Sequence, residues 1–206
     1  MKIQALVCNP FQENTFIVYD DTKEALLIDP GFYNERELRQ AERFVEAEGL
    51  TIKRVVNTHL HIDHCCGNGL AEAAWGVKPE ACELDLYLFD ALGEQAKMFG
   101  LEIPQIAPTA PAPTLKPGSV IKIGKMNFEV LLVPGHSTGS IAFYEKAEKA
   151  IFAGDVLFRC GVGRTDLAGG SDEVLRHTLL DIIFKLPPET RVFCGHGPAT
   201  TIGYEM

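Results

Sequence analysis

His59-Leu60-His61-Ile62-Asp63-His64 is the stretch on which the reading of this chain turns. Three of the six histidines fall inside it. An apolar pair, Val55-Val56, leads towards it, so the cluster is expected where a strand ends. In an extended segment alternate side chains share a side. That alternation predicts His59, His61 and Asp63 facing one way, with Leu60 and Ile62 turned to the core. Packing alone has no use for four polar residues in six at a buried strand end. Neutral imidazoles converging with a carboxylate suit zinc, iron or manganese.

The pattern recurs downstream. Leu131-Leu132-Val133-Pro134-Gly135 ends in His136, Ile151-Phe152-Ala153-Gly154 in Asp155, and Val192-Phe193-Cys194-Gly195 in His196. Each is a short apolar run, read as a buried strand, with glycine just before a metal-competent residue. Glycine lets the backbone turn sharply and approach a ligand closely. Sites in α/β sheets are assembled from several strand ends in this way.

His-x-His-x-Asp-His followed by Pro-Gly-His, Gly-Asp and Gly-His at these separations resembles the metallo-β-lactamase superfamily across essentially the whole chain. The likeness is strongest to its glyoxalase II branch in a short, single-domain form. The run from Leu186 to His196 is similar to that branch's last strand. The run from Gly161 to Asp166 is similar to its loop after the bridging aspartate, and also resembles the one-iron persulfide dioxygenases. The resemblance implies an α/β fold in αββα layers: two mixed sheets packed face to face, helices outside, one domain over 1–206. It implies one metal on His59, His61 and His136, a second on Asp63, His64 and His196, and Asp155 bridging them. Two divalent ions per chain are expected, zinc first, with iron or manganese open. β-Lactamases proper usually carry Cys or His where Asp155 stands, so the resemblance points away from a β-lactam substrate. The sequence stops ten residues after His196. The helical domain that follows in larger glyoxalase II enzymes is therefore expected to be missing, and the thiol carrier is open between glutathione and another.

None of the seven implied ligands is a thiolate, whereas structural zinc sites usually use cysteine, so the set reads as catalytic. Two such metals can hold a bridging water and lower its pKa to give hydroxide at neutral pH, with Asp63 orienting it. The expected reaction is hydrolysis of a small acyl thiolester. The alternatives are a mononuclear iron persulfide dioxygenase using His59, His136 and Asp155, a lactone or other ester hydrolase, and a metal-binding protein without catalysis. Arg164 either grips a substrate carboxylate or pairs with Asp166. Asp29, in Asp29-Pro30-Gly31, either holds a ligand histidine or is an ordinary turn aspartate. Cys65 and Cys66 read as small buried packing, Cys194 as a neighbour of the site, and His177 as outside it.

The remaining sequence narrows the class. A net charge of −9 and the lack of a basic run argue against nucleic acid. No stretch approaches membrane-spanning length, and the N-terminus lacks a signal-peptide pattern. Six cysteines without a C-x-x-C pair suit a reducing cytoplasm. Oligomeric state is not readable. Three antiparallel strands are expected at 3–7, 15–19 and 25–28, and helices at 35–47, with Gly49 as C-cap, and at Asn68–Trp75. Residues 80–100 read as helical, with Pro104 marking the end. Residues 107–117 read as a proline-rich connector or a lid over the metals. Strands follow at Val120–Ile123 and 127–133, and a last helix at 171–186, with Ser171 as N-cap.

Overall fold

The computed structural model describes residues 1–103 and 108–206. Strands β1 (Lys2–Cys8), β2 (Glu13–Tyr19) and β3 (Glu24–Ile28) run antiparallel, as expected. β3 then pairs in parallel with β4 (Thr51–Val56), and β4 with β5 (Pro79–Glu80), in the order β1-β2-β3-β4-β5. The second sheet contains β6 (Val120–Ile123), β7 (Met126–Leu132), β8 (Ile141–Glu145) and β9 (Ala150–Gly154). A hairpin of β10 (Leu157–Phe158) and β11 (Gly161–Val162) separates these from β12 (Arg191–Cys194) and β13 (Thr200–Thr201). Its order is β13-β12-β9-β8-β7-β6, with β9 and β12 parallel and the other pairs antiparallel.

β2 is buried along its whole length, and its alternation explains the layers. Phe16 and Val18 meet Ile121, Phe128, Phe143 and Phe152 of the second sheet, forming the core between sheets. Ile17 and Tyr19 point the other way, into a cluster with Leu38, Ala41 and Val45 of α1 (Glu35–Glu48). Both faces of the strand are therefore apolar, as a strand packed between layers requires. On the far side, Ile151, Val192 and Ala142 pack against Leu175 and Ile183. The result is the expected αββα sandwich. The further helices are α2 (Ile62–Cys65), α3 (Asn68–Trp75), α4 (Leu86–Asp90) and α5 (Leu92–Phe99); α6 (Asp172–Asp181) and α7 (Ile202–Glu205) complete the chain. No helix among the described residues is long and apolar enough to cross a membrane.

Several boundaries differ from expectation. Residues 80–100 are not one helix: Pro79–Glu80 pairs with β4, a 3-10 turn spans Glu83–Asp85, and α4 and α5 follow. Gly100 ends α5 in the left-handed conformation at φ 66°. Pro104 and Ala107 lie outside the described residues. The rest of the proline-rich segment extends the sheet edge, since Ala112 N donates to Pro79 O and Ala81 N to Ala112 O (2.8 and 3.0 Å). The last helix stops at Asp181 rather than 186, and a 3-10 turn over Ile183–Lys185 follows. Leu186 precedes Pro187, which disfavours helix there, and it is extended at ψ 153°. Strand β8 is buried at every position, so it carries no alternation to betray it.

Candidate metal centre

Five strands, β3, β4, β7, β9 and β12, deliver residues to one edge of the sandwich. Two contacts lock the sheets together there: Asn14 N donates to Gly195 O (2.7 Å) and Ile141 N to Thr58 O (2.9 Å). The six-residue cluster is not extended throughout, which corrects the alternation expected from sequence. β4 ends at Val56, His61 is extended (φ −66°, ψ 150°), and α2 starts at Ile62. The Asn57 side chain donates to His64 O at 2.8 Å, folding the run back on itself. Leu60 and Ile62 are buried as expected. The turn separates the polar residues: His59 and His61 gather with His136, while Asp63 and His64 gather with His196.

Hydrogen bonds outside the centre fix one proton on four of the five rings. Thr58 Oγ1 donates to Asp29 Oδ2 (2.6 Å) and so accepts from His59 Nδ1 (3.1 Å). His136 Nδ1 donates to the Arg164 carbonyl (2.7 Å), His196 Nδ1 to the Phe11 carbonyl (3.0 Å), and His64 Nδ1 to Asp29 Oδ2 (3.0 Å). A neutral imidazole has one N–H, so His59 and His136 leave their Nε2 lone pairs facing inward, while the Nε2 of His64 and of His196 faces a carboxylate and offers its lone pair to a metal once its proton is displaced. His59 Nε2 and His136 Nε2 are then two lone pairs 3.2 Å apart, with His61 Nδ1 2.8 Å from the second. His64 Nε2 faces Asp155 Oδ1 at 3.3 Å, and His196 Nε2 faces Asp63 Oδ2 at 3.1 Å. Asp155 Oδ2 lies 3.7 Å from His136 and 3.5 Å from His196, between the two groups.

Lone pairs aimed at one another, as those of His59 and His136 are, repel unless a cation lies among them. His64 Nε2 and Asp155 Oδ1 are buried without any hydrogen-bond partner. Buried polar atoms are seldom left so. The donor set of neutral imidazole and carboxylate, free of thiolate, therefore fits divalent metal ions. The titration of the rings reflects the same field. Burial, helped by His64 and His136, holds His59 well below its ordinary value, and burial with His136 beside it lowers His61 to about 3. Burial opposes charge on His196 and His64 too, yet Asp155 and Asp63 raise His196 to about 9 and His64 well above its usual value.

Asp29 takes the first of its two sequence readings. Its carboxylate accepts from Thr58 N (2.6 Å), Thr58 Oγ1 and His64 Nδ1, and its backbone is held at φ 49°. Gly195 is required by close approach: a Cβ there would lie 2.1 Å from Asp155 Oδ1 and 2.6 Å from His64 Cε1. Cys65 and Cys66 are buried and donate to main-chain carbonyls, His61 O at 3.2 Å and Gly31 O at 3.5 Å, and burial raises both thiols. Cys194 is buried, and burial pushes its thiol up to about 12. His177 is exposed on α6 beside Asp181.

The centre floors a cleft of about 280 Å³. Phe11 and Phe99, edge to face at 5.3 Å, and Leu167 form its apolar wall. Arg164 lines it too, but its guanidinium is paired with Asp166 through two bonds of 2.7 and 2.8 Å. The pairing with Asp166 is thus present, and the Arg164 carbonyl has the further task of orienting His136. Sequence reasoning missed Phe11 and Asp85, and placed Phe99 near the site only as part of a lid or wall over the metals. Asp85 is a fully buried carboxylate whose pKa burial raises. A charge in a stretch read as an ordinary amphipathic helix gave no signal for it.

The sequence profile described as Metallo-beta-lactamase superfamily matches residues 8–196, and the chain belongs to that superfamily. It is 37% identical to Hydroxyacylglutathione hydrolase GloC of Haemophilus influenzae, covering 100% of this chain and 95% of that one. The structure described as BLEG-1 B3 metallo-beta-lactamase superposes with a TM-score of 0.88 at 32% identity, over 100% of this chain and 96% of the other. The structure of TTHA1623 in a di-iron-bound form gives 0.86 at 36% identity, with the same coverage. Membership makes this chain a metal-dependent hydrolase by class.

Proposed function

We propose that the chain is a dinuclear metal-dependent hydrolase of small acyl thiolesters. The observation that carries the two-ion reading is the pair of inward-facing groups with Asp155 between them. His59, His61 and His136 would hold one ion, Asp63, His64 and His196 the other, and Asp155 both. A single iron on His59, His136 and Asp155, as a persulfide dioxygenase would use, leaves the converging ligand atoms of Asp63, His64 and His196 without a role. The di-iron form of TTHA1623 supports two ions and leaves their identity open between zinc, iron and manganese. The name of the Haemophilus relative supports the thiolester.

Ions bound there would supply an acidified water and an electrophile for the acyl oxygen. The chain's own groups do the rest. Asp63, at the cleft floor, would accept a hydrogen bond from the attacking water and set its direction. Phe11, Phe99 and Leu167 exclude bulk solvent from the acyl group. Among the described residues, every histidine except exposed His177 belongs to the centre, so no imidazole is free to protonate a leaving group. A thiolate departs without that help. Incubation of the metal-loaded chain with a hydroxyacyl thiolester of glutathione and with a neutral acyl thiolester tests the reading; it fails if neither is hydrolysed faster than by free metal.

Arg164 is the substrate-gripping residue in this proposal. Its pair with Asp166 is exposed, and exposed pairs contribute only about 0–1 kcal/mol, so a substrate carboxylate can take Asp166's place. Arg164→Ala is expected to raise KM for a carboxylate-bearing thiolester roughly tenfold or more, the effect of losing a charge-assisted bond of about 1.5–3 kcal/mol. A neutral thiolester should be unaffected, and equal changes in both would assign Arg164 to Asp166 alone.

Loading should also expel protons. In the metal-free chain His196 holds its proton up to about pH 9. Its stabilising charge pair with Asp63 and Asp155 is fully present below the unfolded histidine value of 6.5 and is lost as pH rises through 9. Metal uptake at pH 7.5 must displace that proton. Calorimetry in buffers of different ionisation enthalpy should show proton release at pH 7.5 that declines above pH 9. A pH-independent heat of binding would remove His196 from the ligand set.

A further inference from the structure

Asp85 sits at the junction of the two loops that supply the first group of histidines. Its Oδ2 accepts from Leu60 N (3.2 Å), between His59 and His61, and from Ser137 Oγ (2.8 Å), next to His136. Its Oδ1 accepts from Gly139 N (2.6 Å). All three partners are donors, as an ionised carboxylate needs. One loop leaves β4 in the first sheet and the other leaves β7 in the second, so this carboxylate ties together the two loops that carry three imidazoles. Asp85 immediately precedes α4, where an aspartate commonly caps a helix, yet its side chain makes no cap bond. The approach is close on both sides: a Cβ on Gly139 would lie 2.6 Å from Asp85 N and 2.7 Å from Asp85 Oδ1. Among the described residues the second group is held by other partners: Asp29 on His64 Nδ1, Asn57 on His64 O, Asn9 on Asp63 O and the Phe11 carbonyl on His196.

We propose that Asp85 is a positioning residue specific to the His59/His61/His136 group, setting the separation of the two histidine loops and hence the affinity of that group for a metal ion. The proposal rests on the ligand assignment above. Asp85→Asn keeps the shape but turns one acceptor into a donor, which must then face Leu60 N–H, Ser137 O–H or Gly139 N–H. The loops are expected to part, and the three ring nitrogens with them.

The test separates the groups. His196→Ala cripples the second group and leaves the first to bind zinc; His61→Ala does the reverse. Zinc is titrated into each metal-free variant, with and without Asp85→Asn. In the His196→Ala background Asp85→Asn is expected to weaken zinc binding about 10–100-fold, the range for outer ligands that orient metal-binding histidines, and in the His61→Ala background by no more than about twofold. Equal weakening in both would make Asp85 a general stabiliser and overturn the proposal, as would undiminished binding in the first. Ser137→Ala, which deletes a single bond to Asp85, reads the same contrast at smaller amplitude if Asp85→Asn does not fold. Zinc binding in neither background would overturn the ligand assignment itself, and the proposal with it.

Discussion

Asp155→Ala is expected to strip tight binding from both metal positions and to lower kcat/KM roughly 10³-fold or more, since loss of even one group stabilising the developing oxyanion costs about 10²–10³. The reason is its place. Its two oxygens face His64, His136 and His196 at 3.3, 3.7 and 3.5 Å, so its loss removes the one carboxylate common to both groups. It also removes a negative charge that would offset two ions at the cleft floor. His177→Ala is the matching control, because that ring is exposed and touches only Asp181. Metal content and thiolester turnover should be unchanged in it. Two tightly held ions in Asp155→Ala would show that the ligand assignment is wrong.

A strong preference for thiolesters over the matching amides is the second large effect. An amine must be protonated as it leaves, and a positioned general acid typically contributes about 10²–10⁴-fold. Among the described residues the cleft offers none: His61, His136 and His196 face the metal positions, Asp63 and Asp155 are held low in pKa by neighbouring histidines despite burial, and Arg164 does not give up its proton. A thiol, with an ordinary pKa of about 8.5, leaves as an anion. The ratio of kcat/KM for an acyl thiolester to that for its amide is therefore expected to reach roughly 10²–10⁴. The likeness to BLEG-1 makes a β-lactam the amide to include. Comparable turnover of thiolester and amide would mean that a proton donor exists elsewhere and that the mechanism must be given up.

The sequence showed the site more clearly than the elements around it, for a physical reason. Residues suited to metal are scarce and chemically distinctive, so His136, Asp155 and His196 stood out at the ends of apolar runs, and the structure brings them to one edge. The path between them was less legible. The turn at Ile62 that sends Asp63 and His64 to the second group is made by a hydrogen bond that Asn57 donates to His64 O and one that Gln95 accepts from Ile62 N, residues distant in chain or plain in type. Strand β8 lacked alternation because both its faces are covered. Residues 80–100 kept a helical pattern while their first residues joined a sheet, since pairing with β4 outweighs local propensity. Asp85 and the Phe11–Phe99 wall act only through partners that folding brings from far along the chain.

The most direct measurement is the metal content of the chain purified without added metal, determined alongside its protein concentration. Two divalent ions per chain are expected, one on each side of Asp155. One iron per chain, with oxygen consumed on addition of a persulfide, would contradict the dinuclear hydrolase.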